Sequence, residues 1–127
     1  MAILEIKNVS KFFGGLAANS NVSFSLEEGM IMGLIGPNGA GKTTLFNCIT
    51  GYYPPSKGEI TFDGRRMNGL DPDKVCMLGM VRTWQKVRPL AKLSVVDNVM
   101  VGALARTSSL KVARELAMEQ IKVVRME

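Results

Sequence analysis

The 127-residue sequence predicts an α/β fold, and three features of its central region lead to this class. An apolar run at residues 30–35 has the composition of a strand that is covered on both faces. A glycine-rich segment, residues 36–44, follows it directly. Behind this segment, Leu45 and Ile49 are spaced as on one face of a helix, and Gly51 is placed to end that helix. A strand, a tight loop and a helix in this order are typical of α/β proteins.

The glycine-rich segment matches G-x-x-x-x-G-K-[ST], the pattern of a phosphate-binding loop. Its glycines allow positive φ and a close approach of the backbone, so that successive N–H groups can surround an anion. Lys42 is predicted to contact the β- and γ-phosphates of a nucleotide, and the Thr43 hydroxyl to ligate Mg²⁺. The alternative is a glycine-rich turn with an incidental lysine, which the preceding strand and the following helix disfavour. The predicted binding loop consists of Gly36, Pro37, Asn38, Gly39, Ala40, Gly41, Lys42, Thr43 and Thr44.

Composition and charge narrow the possible functions. The chain is 46% hydrophobic and 21% charged, which is ordinary for a folded soluble protein of at most one domain. Its net charge is +5, but the basic residues are dispersed and no aromatic residues interleave with them, so nucleic acid is not an expected partner. Cys48 and Cys76 are too few for a metal site in a chain without histidine, and reduced thiols of a cytoplasmic protein are expected. Neither a signal peptide nor a membrane-spanning run is predicted.

Short strands and helices are predicted on both sides of the loop. The predicted strands are residues 3–7, 21–26, 30–35, 59–62 and 80–85, with residues 65–68 pairing back on 59–62 as a hairpin. The predicted helices are residues 43–50, 72–78 and 95–104, followed by a longer helix after residue 109. Asp71 before Pro72 and the capping box from Ser94 to Asp97 mark two of the helix starts. The apolar faces are predicted to be Val22, Phe24 and Leu26 on the second strand, and Leu110, Ala113, Leu116, Ala117, Ile121 and Val124 on the last helix.

Residues 11–16 are predicted to form a glycine-bounded loop between the first two strands. This segment contains two adjacent aromatic residues, Phe12 and Phe13. Neighbouring side chains on a strand face opposite ways, so at most one of the rings can enter the core. The other ring is a candidate to stack on a flat base. From the residues alone, an aromatic residue that covers the edge of the sheet is the preferred interpretation.

Taken in this order, the motifs resemble those of the nucleotide-binding subunit of ATP-binding-cassette (ABC) transporters, and most of all the importer ATPases for branched-chain amino acids. The matching stretches are residues 13–16, 36–47, 49–53 and 93–99. The resemblance implies a P-loop NTPase fold of the ABC ATPase type, with an N-terminal antiparallel β subdomain and part of a parallel-sheet core. It divides the chain into residues 1–93, with the P-loop and the Q-loop, and residues 94–127, the start of a helical subdomain.

The resemblance also implies residue roles. Phe13 would stack on adenine, with Phe12 as the alternative, and the nine loop residues would hold the triphosphate. Gln85 matches the family's Q-loop glutamine, which contacts Mg²⁺ and the attacking water, so that Lys42 and Gln85 are the catalytic candidates and Thr43 and Gln85 the metal ligands. The implied cofactors are ATP and Mg²⁺. The implied partners are transmembrane permease subunits, which residues 86–93 would face, and a second ATPase subunit, at the inner face of the cell membrane.

Several parts of the family's machinery are absent from the sequence. No apolar run is followed by Asp-Glu, there is no Leu-Ser-Gly-Gly-Gln stretch, and there is no histidine. We therefore expect a truncated or interrupted chain that binds ATP or ADP weakly and hydrolyses ATP poorly or not at all alone, because a catalytic base is lacking. The strand before the P-loop is expected to have an open edge that favours aggregation or dimerisation. A P-loop kinase-like enzyme and a non-catalytic nucleotide-binding fragment remain alternatives.

Overall fold

The computed structural model describes residues 2–37, 39, 41–84 and 86–126. Its elements, in chain order, are β1 (Ala2–Phe13), β2 (Leu16–Glu27), α1 (Lys42–Ile49), β3 (Lys57–Phe62), β4 (Arg65–Arg66), α2 (Pro72–Met77), α3 (Val95–Ala103) and α4 (Leu110–Val123). They form two compact units, Met1–Val81 and Arg82–Glu127. The division at residues 93 and 94 stays a prediction. Within the described residues, no helix has the length and apolar character needed to cross a membrane.

The first unit is built on an antiparallel sheet with the strand order β2-β1-β3-β4. Strand β1 is central, so Ile6 pairs with Phe24 on one side and with Ile60 on the other. The hairpin predicted after residue 59 is confirmed as β3 and β4. The alternation predicted for the second strand is confirmed too, because its apolar face is half-buried while its intervening polar residues are exposed.

The first two strands form a longer hairpin than the sequence indicated. The prediction of a loop at residues 11–16 was wrong, since Phe12 pairs with Ala17 and Phe13 pairs with Leu16 across the hairpin. The turn needs only Gly14 and Gly15, and Gly14 takes a φ of 59°. Two adjacent glycines permit such a tight connection, and the aromatic residues therefore remain in the strand.

The core of the first unit lies between the sheet and helix α1. Helix α1 contributes Leu45, Cys48 and Ile49, which confirms the predicted apolar face. Gly51, at φ 91°, follows the last turn of this helix as predicted. The buried core cluster comprises Ile6, Val9, Leu45, Cys48, Ile49, Ile60, Met67 and Val75.

Two strand predictions were wrong. Residues 30–35 form no strand, and Ile31 and Ile35 are 99% and 96% exposed. Residues 80–84 form no strand either, although Met80 packs against the core. The predicted cover on both faces of residues 30–35 is absent as well, because a strand needs a neighbour for its backbone hydrogen bonds, and none of the described residues pairs with either segment. Gln85, at the end of the second run, lies outside the described residues.

The second unit contains α3 and α4. The cap predicted at Ser94 is confirmed, because its hydroxyl accepts a hydrogen bond from the Asp97 backbone N–H at 3.2 Å. Helix α4 buries Ala113, Ala117 and Ile121 of the predicted stripe. The buried stripe is shorter than predicted, because Leu110 at its start and Val124 at its end are exposed.

Candidate functional site

The glycine-rich loop runs directly into helix α1 in the first unit. Gly39 and Gly41 take φ angles of 87° and 91°, a region that side chains with a Cβ rarely adopt. Helix α1 begins at Lys42, and its first turn contains no acidic residue. Its free N–H groups and its dipole therefore favour an anion at this end. Asn38 and Ala40 belong to the predicted loop but lie outside the described residues.

Asn19 on strand β2 anchors the end of this loop. Its side-chain Nδ2 donates to the Gly41 carbonyl at 3.0 Å, and the backbone N–H of Leu45 donates to the same carbonyl at 2.9 Å. Asn19 is only 6% exposed, and a Cβ placed on Gly41 would overlap the carbonyl oxygen of Ala18. The backbone of Gly41, at the start of helix α1, is thus packed closely against strand β2 of the hairpin. Sequence reasoning missed Asn19, because nothing in its neighbours marks a contact 22 positions away.

The predicted phosphate ligands lie around the loop and the first turn of α1. The Lys42 ammonium donates to the carbonyl of Gly36, so the lysine lies against its own loop. Thr43 is exposed and Thr44 is half-buried. Pro37 is exposed, and Gly36 is half-buried. The structure therefore brings Lys42 back against Gly36 at the start of the loop, while the roles of all nine residues stay predictions.

The exposed Thr43 hydroxyl fits a magnesium ion that is bound together with a nucleotide. Mg²⁺ is typically held by one or two protein oxygens, phosphate oxygens and several waters, so one hydroxyl next to a phosphate loop suffices. Among the described residues, no group of three or more His, Cys, Asp or Glu side chains could hold a metal by itself. Any metal here would therefore depend on the phosphates for most of its ligands.

Phe13, the predicted base-stacking residue, is 43% exposed near the end of the hairpin. Its ring meets Tyr53 edge to face, with ring centroids 5.5 Å apart and planes at 81°. The Lys11 ammonium lies 5.3 Å from the Phe13 ring centroid and 5.6 Å from that of Tyr53. We call Lys11, Phe13 and Tyr53 the aromatic cluster. The alternative ring, Phe12, has a different neighbour, the Lys57 ammonium at 5.7 Å. Tyr53 was not singled out from the sequence.

The hairpin connects the aromatic cluster to the phosphate loop. Lys11 of the cluster is the strand partner of Asn19, which is bonded to Gly41. Phe13 lies two residues further along β1, which corresponds to about 6.6 Å at the usual rise of a strand. The hairpin therefore carries the aromatic ring and also contacts the predicted phosphate loop through Asn19.

Cys48 lies on helix α1 below the site and takes no part in the predicted chemistry. It is buried and free, as is the partly buried Cys76, in agreement with the expected reduced thiols. Burial raises the pKa of the Cys48 thiol above its ordinary value of 9.0, and the positive charge of Lys11 opposes part of that rise. A thiol with a raised pKa is a poor nucleophile near neutral pH.

A sequence model for ABC transporters matches residues 19–126, which is most of the chain. The chain belongs to the ABC transporter family. It is similar to BraF, a high-affinity branched-chain amino acid transport ATP-binding protein of Pseudomonas aeruginosa, with 46% identity over 99 residues. This match covers 78% of the chain and 39% of BraF, so the chain spans about two fifths of the length of the curated relatives that it matches.

Solved structures of ABC cassettes agree with this assignment. A nucleotide-free ATP-binding cassette of an ABC transporter superposes with a TM-score of 0.83 at 29% identity, and the match covers 99% of this chain and 55% of that one. A dimeric cassette in a post-hydrolysis state, bound to ADP and phosphate, superposes with a TM-score of 0.80 at 27% identity, covering 98% and 58%. The predicted family and fold class, including the N-terminal antiparallel subdomain, are confirmed. Proteins of this family bind ATP.

Proposed function

We propose that this chain is part of the ATP-binding subunit of an ABC importer and binds ATP at the loop before helix α1. The observation that carries the proposal is the close packing of Gly41 against strand β2. At a φ of 91°, it directs the chain into the start of an α-helix while Asn19 holds its carbonyl. This places Lys42 at the helix N-terminus, where negative charge is favoured. Membership of the ABC family supports ATP as the anion.

In this proposal each predicted residue keeps its role. The nine loop residues hold the triphosphate, and the Lys42 ammonium exchanges the Gly36 carbonyl for phosphate oxygens. The Thr43 hydroxyl supplies one ligand to Mg²⁺, which would neutralise part of the phosphate charge when bound. The exposed ring of Phe13 stacks on adenine. Gln85, outside the described residues, retains its predicted role as a catalytic and metal-contacting glutamine.

The names of the relatives support the physiological part of the proposal. BraF is a branched-chain amino acid transport ATP-binding protein, and a LivG protein of Archaeoglobus fulgidus with 42% identity over 101 residues has a similar name. We therefore propose import of branched-chain amino acids or a similar solute. Transmembrane permease subunits and a second ATPase subunit would be the partners, at the inner face of the cell membrane. The dimeric cassette with bound ADP and phosphate supports the second subunit.

ATP turnover by this chain alone is proposed to be slow or absent. Hydrolysis needs an in-line water and a group that positions or deprotonates it. The sequence contains no apolar run followed by Asp-Glu and no histidine that could do so. If the purified wild type and Lys42→Ala release phosphate at the same rate, the activity must come from a contaminating enzyme. Release that Lys42→Ala abolishes would contradict the proposal of slow turnover.

The binding proposal is tested by titrating ATP with Mg²⁺ into the wild type and Lys42→Ala by calorimetry and thermal denaturation. At a concentration of 100 times Kd, ATP should stabilise the wild type by about 2.7 kcal/mol. Lys42→Ala should remove most of this effect, because the ammonium contributes a full charge at the phosphates. Lys74→Ala is the matched control, since it removes the same charge from exposed residue 74 on helix α2. Equal stabilisation of all three proteins by ATP would refute the assignment of the loop.

A further inference from the structure

Lys11 makes three contacts that converge on one place in the first unit. Its ammonium lies over the ring of Phe13 and over the ring of Tyr53. It also donates a hydrogen bond to the carbonyl of Pro54 at 3.0 Å. An ammonium near two aromatic rings is attracted by both, and the carbonyl fixes its position. Lys11 therefore joins strand β1 to the segment that follows helix α1.

Tyr53 is held in turn by helix α1. Its backbone N–H donates to the Asn47 carbonyl at 3.2 Å, and that of Tyr52 donates to the same carbonyl at 2.9 Å. The Tyr53 ring then meets Phe13 almost perpendicularly. Such edge-to-face pairs are a preferred geometry of aromatic rings and stabilise the relative orientation of the two rings by about 0.5–1.5 kcal/mol.

These contacts give helix α1 two attachments to the same hairpin. At its N-terminus, Gly41 is bonded to Asn19, and beyond its C-terminus, Tyr53 and Pro54 contact the side chains of Phe13 and Lys11. The phosphate loop and the Phe13 ring are thus both positioned by helix α1 and by the hairpin. The orientation of the ring relative to the loop depends on both attachments.

From this arrangement we infer that Lys11 and Tyr53 are positioning residues for nucleotide binding: they fix the plane of the Phe13 ring so that its exposed part stacks on the base. The inference rests on the proposed function, in which Phe13 is the base contact. It adds that base recognition in this chain depends on a three-residue unit in place of one free ring. Neither Lys11 nor Tyr53 needs to touch the nucleotide.

The test compares a ligand that has a base with one that lacks it. ATP and inorganic tripolyphosphate, each with Mg²⁺, are titrated calorimetrically into the wild type, Tyr53→Ala, Tyr53→Phe and Lys11→Met. Tyr53→Ala should weaken ATP roughly 3- to 10-fold, as expected for loss of an aromatic pair, and leave tripolyphosphate within about twofold. Tyr53→Phe should restore the wild-type affinity, because the ring edge is retained. Lys11→Met should weaken ATP roughly 2- to 5-fold, as expected for loss of a cation–π contact.

Three further variants separate the possible failures. Phe13→Ala without loss of ATP affinity would refute the base contact itself, and with it that part of the proposed function. Phe13→Ala with a loss, but Tyr53→Ala without one, would refute only the positioning role. An equal loss of ATP and tripolyphosphate in Tyr53→Ala would show a general structural role and also overturn the inference. Tyr53→Leu keeps the apolar bulk without the aromatic ring and should behave like Tyr53→Ala. Tyr52→Ala removes a neighbouring ring of the same kind and should leave the ratio of the affinities for ATP and tripolyphosphate unchanged.

Discussion

Replacing Gly41 by alanine tests whether the close contact between Gly41 and strand β2 holds the phosphate loop in place. Gly41 has a φ of 91°, and a Cβ built there overlaps the Ala18 carbonyl oxygen and lies 2.6 Å from the Asn19 Nδ2 atom. The obstacle on the Ala18 side is backbone, so it cannot be avoided by a change of rotamer. Gly41→Ala must therefore displace either strand β2 or the start of helix α1.

The expected cost follows from three terms. Holding alanine at a positive φ costs about 1–3 kcal/mol. Displacing the hairpin also weakens the hydrogen bond from Asn19 to the Gly41 carbonyl, for about 0.5–1.5 kcal/mol. Against this, alanine reduces the entropy of the unfolded chain, which returns about 0.4–1 kcal/mol. The free energy of unfolding should fall by about 0.5–4 kcal/mol, before any residual overlap is counted.

The measurement is urea denaturation followed by circular dichroism without nucleotide. Gly64→Ala is the matched control, because Gly64 has a φ of 77° and no atom within 4 Å of a built Cβ. It should show only the backbone term and its entropic offset, about 0–2.6 kcal/mol, so Gly41→Ala should exceed it by the hydrogen-bond term of about 0.5–1.5 kcal/mol. If Gly41→Ala is no more destabilising than Gly64→Ala, the contact between β2 and the loop does not hold the loop in place.

Two other variants test features away from the loop. Asn98→Ala should speed hydrogen exchange at the Leu90 amide roughly five- to tenfold, because that N–H donates to Asn98 Oδ1 at 2.7 Å, while Asp97→Ala should leave it unchanged. For Cys48, the thiol is protonated in both states below its ordinary pKa of 9.0; above it the unfolded state loses the proton first, so the free energy of unfolding should fall as the pH rises from 9. Cys48→Ala should lack this extra fall relative to the wild type in urea denaturation at pH 8, 9 and 10, and a parallel pH dependence of the two proteins would contradict the raised pKa.

Features that depend on neighbouring residues were predictable from the sequence. The positive φ at Gly39 and Gly41, the buried face of helix α1 and the Ser94 cap each follow from the order of a few adjacent residues. Gly36, the first glycine of the motif, does not take a positive φ. The family resemblance rests on such local motifs and is confirmed. These signals are strong because backbone sterics and helix periodicity act over only a few positions.

Features that depend on distant residues were not predictable in the same way. The bond from Asn19 to Gly41 and the contact between Phe13 and Tyr53 join residues that are far apart in the chain. They result from the register of the hairpin and from the path of the chain after helix α1, which no local pattern encodes. Residues 30–35 show the converse, since their composition predicted a buried strand but composition does not supply a pairing partner.

Lys11 pairs with Asn19, so the two-residue step from Lys11 to Phe13 on strand β1 sets the distance between the Phe13 ring and the point where the loop is attached. Side chains alternate along a strand, so adding or deleting one residue between Lys11 and Phe13 would turn the ring to the opposite face of the sheet. A change of length in the Gly14 and Gly15 turn would leave that spacing intact. The length of this short piece of strand is therefore constrained more tightly than the identity of the residues in its turn.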